Sequence, residues 1–162
     1  MDSTQGTASL APDWRADLVD LRRQVHRNPE LSHEERETAA LVAGRLRAWG
    51  VDEVFTGVGG TGVVGVINGR RKGPLLMLRA DMDALPIPEF DRGQPYRSTR
   101  DGVHHACAHD GHVAILLTTA RILASSRDRL AGSVLLVFQP AEEAGDGAVA
   151  MLRDGLLARW KP

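Results

Sequence analysis

Cysteine is almost absent from this chain. Cys107 is the only one in 162 residues, so no internal disulfide can form, as expected for a reducing compartment. Aromatic residues are also few, with Trp 3, Phe 3 and Tyr 1, which leaves an aliphatic core. Neither sign of charge dominates: 20 Lys+Arg stand against 21 Asp+Glu, a formal net charge of −1. A binder of nucleic-acid backbones normally shows a basic excess or stripe, and neither is present. No apolar run approaches the ~20 residues needed to cross a bilayer. The first residues, Met1-Asp2-Ser3-Thr4, have neither the basic nor the apolar region of a secretory signal. These absences lead us to expect a cytoplasmic protein without nucleic-acid or membrane partners. Residues 1–12 are expected to form a disordered N-terminus before one folded region, 13–162.

Glycine, by contrast, is abundant: 17 residues, against a usual share of ~7%. Apolar residues Trp14, Leu18, Leu21 and Val25 recur at helical steps after Pro12 and predict a helix ending before Pro29. Ser32-His33-Glu34-Glu35 has the form of a capping box. It opens a second predicted helix through Ala39, Val42, Leu46 and Trp49, stopped by Gly50.

The period then changes. Strands are predicted at 51–55, 63–67, 74–78 and 133–138, with helices at 111–124 and 146–156. Residues 84–106 read as an irregular loop. Gly57 to Gly62 is glycine-rich, but it lacks a phosphate-binding fingerprint and reads as turn chemistry. Helices alternating with continuous aliphatic strands indicate an α/β fold, with a mixed, mostly parallel sheet between helices.

Three polar clusters follow strands or open a helix: Asp81 and Asp83, then Cys107, His109 and His112, then Glu142 and Glu143. Ligands of open α/β sheets bind beyond the carboxyl ends of the strands, so the three can converge on one crevice. Cys107 and His109 are two apart and would face the same way in an extended segment. With Glu143 they would form a thiolate, imidazole and carboxylate set suited to Zn²⁺, Mn²⁺, Co²⁺ or Ni²⁺. Glu142 is then free to act on water as a general base. Each cluster alone has an ordinary structural reading as a buried thiol, a strand-end cap or a solvated face. Three together at strand ends in one short chain do not.

These segments carry a resemblance. His26-Arg27-Asn28-Pro29-Glu30-Leu31-Ser32-His33-Glu34-Glu35, Gly57 to Val64, Leu78 to Pro86, His105 to His112 and Phe138 to Glu143 occur in order. Together they resemble the N-terminal part of the metal-dependent amidohydrolases that include hippurate hydrolase and the indole-acetyl-amino-acid hydrolases. That group lies within the wider aminoacylase and zinc carboxypeptidase class.

The resemblance implies a two-metal, peptidase-like catalytic domain that hydrolyses N-acyl amino acids, with an oligomeric form in longer members. It implies Cys107, His109 and Glu143 as metal ligands, Glu142 as general base and Asp83 as the residue orienting a neighbouring ligand. It places Asp81 and His112 near the site, in a supporting or substrate-contacting role.

Two departures stand out. Ala108 occupies a position where the family usually has glycine. No histidine follows His112, although relatives supply two further histidine ligands and a lid domain downstream. The chain is therefore expected to be an N-terminal portion, weakly active or inactive alone, with an exposed sheet edge. Two rival readings remain: a non-catalytic metal-binding or interaction fragment of the same fold, and a cysteine hydrolase with Cys107 as nucleophile.

Overall fold

A computed structural model describes residues 12–162; the segment expected to be disordered lies, except for Pro12, outside the described residues. The helix α1 (Pro12–Arg27) and the helix α2 (Arg36–Ala48) form where the apolar spacing places them. Gly50 ends α2 in a left-handed turn, φ 72°. Its N–H bonds to Arg47 O, and that of Val51 to Leu46 O, each at 3.0 Å.

The start of α2 differs from expectation, because Ser32 and Glu35 form no capping box. The N–H groups of Glu37 and Thr38 donate instead to the two oxygens of buried Glu30, at 3.0 and 2.8 Å. A carboxylate fed by the preceding loop thus satisfies the free donors of the first turn.

Four strands follow the order β1-β2-β4-β3. They are β1 (Glu53–Val58), β2 (Gly62–Asn68), β3 (Arg71–Asp81) and β4 (Ala131–Gln139), with helix α3 (His109–Ser125) between β3 and β4. The glycine-rich stretch closes the β1–β2 hairpin as turn chemistry. The sheet is mixed, as expected, but its parallel share is smaller than expected. Both β1–β2 and β2–β4 are antiparallel, while β3–β4 is parallel.

The aliphatic runs that suggested parallel strands have another cause: β2 and β4 are central and covered on both faces. Val63, Ile67, Val134, Leu136 and Phe138 pack against α1, α2 and α3. Val64, Val66, Leu135 and Val137 pack on the opposite face against Met151 and Leu156.

Strand β3 extends beyond the expected 74–78 at both ends. It is an edge strand, which tolerates Pro74 beside a register shift between Arg71 and Leu75. The last predicted helix is two, α4 (Gly147–Arg153) and α5 (Leu156–Arg159), separated by Gly155 at φ 90°. No helix among the described residues is long and apolar enough to cross a membrane.

Candidate metal centre

Parallel pairing brings Asp81 and Gln139 into register at the carboxyl ends of β3 and β4. The polar clusters begin there, and α3 starts at the same end. Ligand atoms of Cys107, His109 and Glu143 lie within 4.8 Å of one another. His109 Nε2 is 3.8 Å from Glu143 Oε1 and 3.8 Å from Glu142 Oε2. The structure therefore brings together Cys107, His109, Glu142 and Glu143.

The reason Cys107 and His109 share a side is not the extended backbone expected. Ala108 is left-handed, φ 63° and ψ 27°, and His109 is the first residue of α3. This turn brings the thiol within 4.8 Å of an imidazole nitrogen. It also explains why glycine would sit comfortably at 108.

His109 is oriented from behind. Its Nδ1 donates to the backbone carbonyl of Asp83 at 2.9 Å, with Asp83 Oδ1 at 3.3 Å. That bond fixes the tautomer and leaves the Nε2 lone pair facing the thiol and the carboxylates. Burial works to lower the His109 pKa, but the Asp83 and Asp81 carboxylates outweigh it and raise it to about 8. Burial would raise the Asp83 pKa, yet donors from His109, Ser32 and the backbone of Glu143 and Glu142 hold it well below the usual carboxylate range. Asp83 Oδ2 accepts from Ser32 Oγ at 2.6 Å and from Glu143 N–H at 3.0 Å. One residue thus touches the imidazole and the backbone that carries Glu143.

Asp81 and His112 stand beside this group. His112 Nδ1 meets Asp81 Oδ1 at 2.6 Å and its ring stacks on His109, centroids 5.6 Å apart. Asp81, His109 and His112 also lie within metal-sharing distance of one another. However, Asp81 is already engaged, its Oδ2 paired with Arg79 at 3.0 Å.

The donor set fits a divalent ion. Glu143 Oε1 is buried without a hydrogen-bond partner, and a thiol, an imidazole and a carboxylate suit a borderline metal. A nucleophilic role for Cys107 fits poorly. The neighbouring Glu143 carboxylate first, then burial and the Glu142 and Asp81 carboxylates, push the thiol pKa up, whereas an activated thiol needs it lowered.

Sequence reasoning missed Glu35, which is buried between Thr61 and the Ala141 N–H, and read Ser32 only as a cap. The signal available was their place within the resembling segment 26–35.

A fold whose parallel strand ends gather such donors defines a metallopeptidase-type α/β domain. A family model described as peptidase family M20/M25/M40 matches residues 77–162, and the chain belongs to that family. It is 47% identical over 148 residues to thermostable carboxypeptidase 2 of Saccharolobus solfataricus, covering 90% of this chain and 36% of that protein. It is 45% identical over 148 residues to hippurate hydrolase of Campylobacter jejuni, covering 91% and 38%. The Bacillus subtilis YXEP protein, described as a dinuclear metal binding peptidase, superposes with a TM-score of 0.85 at 40% identity, covering 91% of this chain and 41% of that one. The chain therefore spans little more than a third of the length of the curated relatives named here.

Proposed function

We propose that the protein hydrolyses the amide bond of N-acyl amino acids. Cys107, His109 and Glu143 would hold a divalent ion, Zn²⁺, Mn²⁺, Co²⁺ or Ni²⁺, and the complete site would take two ions. When bound, the metal supplies Lewis acidity at the scissile carbonyl and makes water easier to deprotonate. The convergence of Cys107, His109 and Glu143 beside a second carboxylate carries this reading. Similarity to a hippurate hydrolase and to an N-acetyl-L-cysteine deacetylase points to the substrate class.

Glu142 is the general base in this proposal. Its carboxylate is partly exposed and faces the same space as His109 Nε2. It takes a proton from the attacking water and returns it to the leaving amine nitrogen as the C–N bond breaks. Asp83 acts through others, holding the His109 ring and the Glu143 backbone. Asp81 and His112 form the adjoining wall.

Metal analysis with an assay on hippurate and N-acetyl amino acids tests this. Glu142→Gln should retain the metal and lose about 10²-fold or more in turnover, the usual worth of a general base. Near-normal turnover removes the assignment. A second reading, metal binding without turnover by these 162 residues, is favoured by the two donor groups among the described residues sharing one imidazole, His109, so that they hold one ion rather than two. Bound metal with no hydrolysis by the wild-type chain would select it.

A further inference from the structure

The connector between α1 and α2 carries none of the proposed metal ligands, yet it touches both of the loops that supply them. Ser32 reaches Asp83. Glu35 reaches further, into a space with no solvent exposure, 0%. Its Oε1 accepts the Ala141 N–H at 2.7 Å, and its Oε2 accepts the Thr61 hydroxyl at 2.5 Å. Among the described residues no lysine, arginine or histidine forms an ion pair with it. Burying a carboxyl group without a cation is unfavourable, so this placement needs a reason beyond local helix formation.

Ala141 supplies it. It is fully buried and left-handed, φ 48°, a conformation unfavourable for alanine. The residues after it are Glu142 and Glu143. The turn is pinned from both sides: the Glu35 carboxyl accepts the Ala141 N–H, and the Gly147 N–H donates to Ala141 O at 3.2 Å. Gly147 must be glycine for this approach, since a Cβ there would fall 1.7 Å from Pro140 O.

We infer that Glu35 is a positioning residue for the Glu142–Glu143 pair, holding the Ala141 turn that brings both carboxylates to His109. The inference rests on the proposed metal site and extends it to a residue that would touch neither metal nor substrate. What the position requires is reach rather than charge. A glutamine has the same length: its amide oxygen can accept the Ala141 N–H, and its NH₂ can donate to the Thr61 hydroxyl, which rotates to accept. An aspartate keeps the charge but is one methylene too short to span both donors. Without the clamp, residue 141 relaxes toward negative φ and carries Glu143 away from Cys107 and His109.

Titration of the whole chain with Co²⁺ tests this, following the thiolate-to-cobalt absorption band, with thermal melting as the check on folding. Glu35→Gln should keep the band and the affinity. Glu35→Asp should bind Co²⁺ about 10-fold or more weakly with an altered band, the size of loss seen when groups supporting metal ligands are removed. Glu35→Asp matching the wild type, or Glu35→Gln losing the band, overturns the inference. Should Glu35→Asp not fold, Glu35→Gln decides alone. A wild-type chain with no band removes the metal reading and this inference together, whereas a wild-type band shared by Glu35→Asp removes only the inference.

Discussion

Two alanines in left-handed conformations flank the candidate centre, Ala108 before His109 and Ala141 before Glu142. Such geometry costs an L-residue roughly 1–2 kcal/mol. Glycine would relieve that cost at 108 but loses roughly 0.5–1 kcal/mol through the entropy of its unfolded state. Ala108→Gly should therefore stabilise the fold by about 0.5–1 kcal/mol, seen as a higher urea midpoint with unchanged slope; a lower midpoint contradicts the strain argument. His109 supplies a second residue-level test. With its pKa raised to about 8, a proton competes with any cation for Nε2. Affinity for Co²⁺ should rise with pH, steeply below about 8, where His109 and the Cys107 thiol each release a proton per ion bound, and less steeply above it, where only the thiol does. Calorimetry in buffers of different ionisation enthalpy measures the release. A pH slope that stays the same across about 8 would remove Nε2 from the ligand set.

Among the elements, the entry to α2 shows what periodicity can and cannot reveal. The helix was legible because Ala39, Val42, Ala43 and Leu46 recur on one face. Its cap was not, because Glu30 lies six residues before the first helical residue and folds back to it. Ser32-x-x-Glu35 satisfies the local pattern while both side chains serve tertiary partners. Glu30→Ala should cost about 1–2 kcal/mol, the range for losing a strong cap, read as a fall in melting midpoint; an unchanged midpoint places the capping elsewhere. The candidate site was legible for a related reason. Donors at strand ends need only the strands to be placed, and β3 and β4 were found from their aliphatic runs. Pairing direction was not legible, because covering both faces of β2 and β4 produces the same runs whether neighbours are parallel or antiparallel. The left-handed turns at 108 and 141 carry alanine, so no glycine marks them.

At the scale of the whole molecule, His26 ties α1 to α3 and to the long loop after β3. Its Nδ1 meets Asp110 at 2.8 Å and its Nε2 meets Glu89 at 3.0 Å. Carboxylates only accept, so both ring nitrogens must carry protons. The Asp110 hydrogen bond outweighs burial, and with Glu89 it raises the His26 pKa above 6.5. Folding stability from this contact is therefore complete below 6.5 and is lost as pH rises through the raised value. His26→Gln should narrow its gap in melting temperature from wild type between about pH 6 and about pH 9; a constant gap would mean that the imidazolium is not the stabilising species. His105, packed beside His26 with ring centroids 6.4 Å apart, is pushed down by burial to about 4 and stays neutral, so it adds no competing charge.

The register of Asp81 with Gln139 has a final consequence. The donors at 107, 109 and 143 meet only once the parallel pair β3–β4 has closed over its crossover through α3. No short stretch of the unfolded chain can assemble them. Any ion they select is therefore bound more tightly by the native state than by its competitors, and its chemical potential enters the folding equilibrium of the entire sheet.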